Sequence, residues 1–588
     1  MSLVDPIRGE SQPDRCWTLA NVNEATPLVL TPLEWSIWGK AVELGALGAW
    51  CDFGFIPSSE VREPADQNDR ITGCFYGRQA MNIDRTRLIM AMVPGSSADD
   101  FERDILGWVR PEATPVPNSA RRVPIIAVKA MRTLVTQTKA VTRAHDEQLR
   151  WWRSNVLATP AAGGAAAGGA AAPAADGATV GATGDPWALL DESVARFVRL
   201  MRVHVRSRTL LQAFQSAVAD RCTRAGRPEL ASTLLSGYGG VTETALAEDI
   251  WLLSRGRISR DDVVREHGFH GPNVGNPRAR SWREDPGMID ALAEVTASRP
   301  DDERPTHREQ RAVEARRAAE EALLGDDRGP VAALNRLLTR LLLRTAGTQV
   351  RSLGLGKAAF VSAVDGCRAA IRRIGAELPS QGRLADPDDV FFLTLDELES
   401  GRTAGEAAAA PDQGWAELVT RRRANHEEYQ GLTLPLVFVG MPVPVEPAGE
   451  PSAADAGGPG GPAPVVGVTG SPGIAEGIAR VVLDPGDPDE TDQLQEGDIL
   501  VCRLTDPSWA ALFSLVDGLV IDIGGLASHG AIVARELGIP CVIGTDDGTR
   551  RIRSGDRVRV DGGAGTVTIL SGPGTSAPAS PPGPGALR

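Results

Sequence analysis

Between Pro186 and Pro464 apolar residues recur at three- and four-residue spacings over long runs such as "WALLDESVARFVRLMRVHVRSRTLLQAFQSAVADRC" and "REQRAVEARRAAEEALL". That period predicts amphipathic helices. One stripe is especially regular: Phe360, Val364, Cys367, Ile371, Ile374 and Leu378, with Leu353 two turns earlier, predicts a helix face buried in a core. After Pro464 the texture changes to short Val/Ile-rich segments ("PVVGVTG", "GIARVVLD", "GDILVCRL", "DGLVIDI", "PCVIGT", "DRVRVDG", "GTVTIL") broken by Gly, Pro and Asp. These read as strands joined by turns, with one or two short helices between them. The expected fold is multidomain, α and α/β: a large, mainly helical domain over 1–445, then a compact α/β unit over 465–570.

Low-complexity segments mark the boundaries. The Ala/Gly-rich stretch 158–186 is too poor in bulky apolar groups to offset its ordering entropy and reads as a disordered insertion. Residues 446–464, rich in Pro and Gly, read as a flexible linker, and 571–588 as a disordered tail. As a coil, the linker would span about 25 Å, enough for a tethered domain to visit two sites.

Charge and cysteine usage narrow the function classes. A formal net charge of -14 argues against a nucleic-acid groove or an anionic membrane surface as partner. The seven cysteines lie far apart without a CxxC pair, so they read as buried thiols of a reducing compartment, and no metal site is expected. No signal-like core and no run of 18 apolar residues occurs, which predicts a soluble cytoplasmic protein. "GLGKAA" at 354–359 hints at a P-loop, but Arg351 and Ala358 stand where that pattern needs Gly and Ser or Thr.

The chemistry concentrates in "IDIGGLASHGAIVARELGIPCVIGT", Ile521 to Thr545. "DGLVIDI" reads as a strand and the Gly pair as a turn. Ser528 reads as an N-cap, and "HGAIVAREL" as a helix closed by Gly538 and stopped by Pro540. His529 then sits in the first turn, where unpaired amides and the helix dipole favour an anion. Imidazole suits phosphoryl relay because a neutral ring nitrogen is nucleophilic and protonation makes the ring a good leaving group. Gly524, Gly525, Ser528 and Gly530 are the accompanying phosphate-binding candidates.

"GGLASHGAIVARELGIPCVIGT", with "GSPGIAEGIARVV", "GDILVCRLTDPSWAALF" and "GDRVRVDGGAGTVTIL", resembles the swivelling β/β/α phosphohistidine domain of phosphoenolpyruvate-utilising enzymes. The resemblance implies that His529 is transiently phosphorylated. "WTLANVNEATPLVLTPLEWSIW", "HGFHGPNVGNPRARSWREDP" and "GRLADPDDVFFLTLDEL" resemble the acceptor half of the rifampicin phosphotransferase family, without its ATP-grasp domain.

By that resemblance the chain is a phosphotransferase component with no cofactor of its own. A separately encoded ATP-grasp protein, using ATP and Mg, loads His529, which passes the phosphoryl group to a hydroxyl of a small organic acceptor. Lys357 lies on the apolar stripe and would offset developing charge, while His270, Arg283, Glu284 and Asp285 are candidate acceptor-shell residues. Relatives carry Arg-Glu-x-x-Lys at this helix and an acidic residue after the Gly-Pro. Leu353, Gly354 and Val274 stand at those positions here, which keeps open a second reading, a catalytically degenerate binding or regulatory protein of the same fold.

Overall fold

The computed structural model describes residues 5–572 apart from 21, 23–24, 94–96, 107, 118–120, 159–184, 240–241, 298, 302–303, 326–330, 406–412, 446–462, 484–487, 492, 496, 506–508, 514 and 525–527. Nearly all of the Ala/Gly insertion, most of the Pro/Gly linker and the tail after 572 thus lie outside the described residues. Two boundaries differ from the sequence reading. Asp185 caps a helix beginning at Pro186, its carboxylate accepting the Trp187 N–H. Ser571 ends a strand rather than opening the tail.

The first half is built on four long helices: Pro32–Phe53, Val123–Trp152, Pro186–Arg224 and Ala332–Glu377. Local chemistry sets their limits. Thr31 and Glu34 form a reciprocal capping box ahead of Pro32, and Gly54 closes that helix in the left-handed region at φ 87°. The last of the four runs 46 residues, about 69 Å, and contains "GLGKAA", so that segment is no phosphate loop. Its predicted stripe is buried, from Leu353 to Leu378. A small sheet closes the domain on itself, in the order β2 (Thr72–Phe75), β3 (Arg78–Asn82), β1 (Cys16–Thr18), β4 (Val437–Val439). Trp17 lies opposite both Asn82 and Phe438, so the two ends of the helical half pair directly.

A buried ionic cluster ties the helices together. Asp365, fully buried on the long helix, accepts from Trp152 Nε1 (2.8 Å), Arg283 Nε (3.1 Å) and Arg368 Nη1 (2.7 Å). Burial alone would push its pKa up. The Arg283 and Arg368 charges and their hydrogen bonds outweigh that and hold the carboxyl well below the usual range. Arg368 in turn donates to the carbonyls of Val274 (3.1 Å) and Asn276 (3.3 Å).

The second unit is an eight-stranded sheet in the order β5 (Val465–Val466), β12 (Thr566–Ser571), β11 (Arg557–Asp561), β7 (Ile474–Val481), β8 (Ile499–Cys502), β9 (Gly518–Ile521), β10 (Cys541–Ile543), β6 (Val468–Ser471). From β7 to β10 the strands are parallel and the flanks antiparallel. Of the parallel strands, β8, β9 and β10 are buried on both faces, which is why they read as unbroken apolar runs, whereas β7 is mostly half-exposed. The molecule is thus a mainly helical body joined to a sheet domain. Among the described residues no helix is long and apolar enough to cross a membrane.

Arg368→Met leaves a buried carboxylate short of a partner and two loop carbonyls without a donor. It should destabilise the helical half by about 3–5 kcal/mol in urea titrations followed by tryptophan fluorescence, and a loss below about 1 kcal/mol would contradict this role.

Candidate functional site

The turn after β9 is held by its own strand end. Asp522, buried, accepts from Thr545 Oγ1 (2.8 Å) and from the Thr549 amide (3.1 Å) and hydroxyl. Gly524 follows at φ 153°, where a Cβ would fall 2.5 Å from Ile543 Cδ1, so only glycine fits this bend. Ser528 caps the helix His529–Leu537 by accepting the Ala531 N–H (3.3 Å), and Gly538 closes it at φ 68°. The amide of Ile532 bonds to the Ser528 carbonyl. Helix geometry leaves the amides of His529 and Gly530, in its first turn, without a partner inside the helix, the position where an anion is favoured. Gly530 also has a packing reason to be glycine, since a Cβ there would lie 2.8 Å from Thr505 Oγ1. Gly525 lies outside the described residues.

The rest of the segment is structural or faces the helical half. Arg535 is buried and donates through Nε to the Gly470 carbonyl (2.7 Å), and burial lowers its pKa to about 10. Ile532 and Tyr238 both pack against the small cluster formed by Leu211, Val350 and Leu353. Glu536, also buried, faces the backbone N–H groups of Gly239 and Tyr238 with the Glu309 carboxylate nearby, and burial raises its pKa to about 7. Tyr238 fits over Gly347 of the long helix, where a Cβ would sit 2.2 Å from the ring, and its carbonyl accepts from Arg351 (3.1 Å).

On the helical half, the His529 helix packs mainly against the helix Pro305–Gly325 and also meets Thr242–Ser254. Ile532 adds a contact to the cluster of Leu211, Val350 and Leu353, and Glu536 reaches the backbone of Tyr238 and Gly239. Lys357 is half-buried on the long helix, one turn beyond Leu353. Its neighbour Gly356 admits His204, whose Nδ1 would be 3.5 Å from a Cβ at that position and whose ring meets Phe360 edge-on at 4.9 Å. On the opposite side Arg503 precedes the turn, its carbonyl accepting the Ile523 N–H (2.9 Å). Burial and then the Arg503 charge lower the pKa of Arg78, so two cations approach each other beside the turn.

The candidate acceptor-shell residues sit one layer deeper. His270 is buried between Phe269 and Trp282, and its carbonyl accepts the Trp282 amide (2.7 Å). Arg283 is committed to Asp365, and Glu284 meets Arg372 at 3.2 Å and the Ser281 amide at 3.1 Å. Asp285, half-exposed, bonds through its own amide to the Ser281 carbonyl. Val274 is part of the core cluster. Around them the loop is clamped by Trp38 Nε1 to the Gly275 carbonyl (2.6 Å), by Glu34 to the Arg278 amide (2.9 Å) and by Arg372 to the Arg278 carbonyl (2.7 Å). Sequence reasoning missed Glu536, Tyr238, His204 and Asp365. The only signal was their apolar surroundings, which do not distinguish a docking carboxylate from a solvated one.

Known proteins are similar to this chain in sequence. Residues 494–565 match the family described as PEP-utilising enzyme, mobile domain. Over 215 residues, 37% of this chain and 23% of the relative, the sequence is 40% identical to a rifampicin phosphotransferase of Streptomyces sp. It is 36% identical over 236 residues to the uncharacterized protein Rv2047c of Mycobacterium tuberculosis, covering 40% of this chain and 25% of that one. It is 33% identical over 202 residues to the uncharacterized phosphotransferase YvkC of Bacillus subtilis, covering 34% and 23%. The matches span about a quarter of each relative's length.

Because Glu536 holds its proton more tightly when docked, docking is strongest below the ordinary carboxyl pKa of 4.5 and weakens as pH rises through about 7. Interdomain fluorescence energy transfer should report that loss, on the order of a hundredfold in the docking equilibrium, and Glu536→Gln should flatten the profile. A profile equally steep in Glu536→Gln would exclude this residue as its origin.

Proposed function

We propose that this chain, which carries the mobile domain of phosphoenolpyruvate-utilising enzymes and resembles rifampicin phosphotransferase, relays a phosphoryl group through His529 to a hydroxyl of a small organic acceptor held by the helical half. The observation that carries this reading is the mobile-domain match over residues 494–565, within which His529 opens a helix capped by Ser528. In the loading step, with ATP and Mg2+ held by a separately encoded ATP-grasp protein, the His529 ring attacks phosphorus and forms a P–N bond as the P–O bond to the rest of the nucleotide breaks; the bonding pair stays on the departing phosphate oxygen and the ring gives up its N–H proton. In the transfer step the acceptor oxygen forms a new P–O bond as the P–N bond breaks. The bonding pair returns to the imidazole, and the hydroxyl proton is the net proton gained by the ring. The amides of His529 and Gly530 and the Lys357 ammonium supply positive potential where the phosphoryl oxygens gather.

One departure from the family pattern has a physical counterpart: Leu353 belongs to the apolar cluster on which Ile532 of the sheet domain packs, and an arginine there would not extend that apolar surface. The same residue motivates the alternative, a non-catalytic binding or regulatory protein whose sheet domain docks without transferring anything.

Incubation with an ATP-grasp partner, Mg2+ and γ- or β-labelled ATP should place acid-labile label on the wild type and none on His529→Ala. With rifampicin as the first acceptor tried and other small hydroxyl compounds after it, Lys357→Met should keep its label and transfer it roughly 100-fold more slowly. Label that survives His529→Ala would refute the relay, and activity in cells unaffected by His529→Ala would favour the binding-protein alternative.

A further inference from the structure

The opening turns of the 46-residue helix Ala332–Glu377 present an unusual surface. Leu334, Leu337, Leu338 and Leu341 are 54%, 63%, 53% and 61% exposed. At 3.6 residues per turn they fall within an arc roughly 100° wide, a continuous apolar stripe and not scattered contacts. The core side of the same turns is already occupied by Thr339, Leu343 and Ala346, all buried. Along the other edge of the stripe Arg336, Arg340 and Arg344 repeat every fourth residue, all exposed. From Val331 to Val364 the sequence contains no Asp or Glu, in a chain of net charge -14. Among the described residues no carboxylate forms an ion pair with any of these three arginines. An exposed apolar stripe of this regularity marks an interaction surface, and its one-sided row of cations selects what can cover it.

We propose that this stripe is a docking face for an amphipathic helix of another protein, whose apolar side seats on the four leucines and whose acidic edge meets Arg336, Arg340 and Arg344. The charge pattern favours that occupant over a second copy of this chain, because a purely basic edge offers no complement to itself. It favours a protein over a bilayer because the helix is fixed against its own core on one side and offers only a narrow apolar arc, in a molecule whose net charge is repelled by anionic lipid. The inference is independent of the phosphoryl relay, since the stripe lies at least two turns before Leu353 and touches neither His529 nor Lys357.

The test titrates the full chain with a fluorescent 18-residue helical peptide carrying leucines at i, i+3, i+4 and i+7 and a row of glutamates beside them. A counterpart has lysines in the glutamate positions. The glutamate peptide should bind saturably and more weakly as salt rises. The double variant Leu337→Glu, Leu341→Glu should lose affinity at least tenfold, and Arg336→Glu, Arg340→Glu should reverse the preference toward the lysine peptide, with circular dichroism confirming that both variants fold. Equal binding of the two peptides, or binding of neither, overturns the proposal. So does stripe-dependent binding to phosphatidylserine vesicles, which would make the face a membrane contact, or a concentration-dependent dimer dissolved by Leu337→Glu, which would make it a self-interface.

Discussion

The buried carboxylate of Asp365 is the constraint on which the helical half depends. An ionised carboxylate in a closed core persists only if its charge and lone pairs are met, and here Arg283, Arg368 and Trp152 meet them from three different segments. One consequence is positional. Arg368 reaches past Asp365 to the carbonyls of Val274 and Asn276, so the cluster that neutralises the charge also fixes the loop around them. Glu34, Trp38 and Arg372 grip the same loop from outside, leaving it little freedom to rearrange. Arg283 and Glu284 are thereby committed to architecture.

The interface between the two units carries an opposing design. Ile532 against the Leu211, Val350 and Leu353 cluster is ordinary apolar burial, which favours docking at any pH. Glu536 works against it, because burying a carboxylate beside Glu309 costs free energy once the group ionises. An interface that combines both is weakened as pH rises, which a uniformly apolar one would not be.

Much of the fold was legible in the sequence. The stripe from Leu353 to Leu378, the N-cap at Ser528, the left-handed stop at Gly538 and the strands of the sheet domain follow from local periodicity and turn chemistry, and the structure contains them. What the sequence concealed is long-range. Arg283 reads as a candidate acceptor-shell group because it lies in the acceptor-like stretch, and only the fold reveals that its guanidinium meets Asp365, 82 residues away. Leu353 reads as a lost arginine until it is found in the cluster on which Ile532, far along the chain, packs. Pairings of this kind leave no trace in spacing or composition, because neither partner's local sequence depends on the other.

The account stands on the docking of the sheet domain through Ile532 onto the Leu211, Val350 and Leu353 cluster, and one cross-linking measurement addresses it most directly. With Ile532→Cys and Leu353→Cys introduced together into the full chain, mild oxidation should produce an intramolecular disulfide much faster than Ile532→Cys paired with a cysteine at exposed Leu341. Failure of the 532–353 pair to form, or equal rates for the two pairs, would show that the sheet domain does not dock on this cluster and would contradict the account.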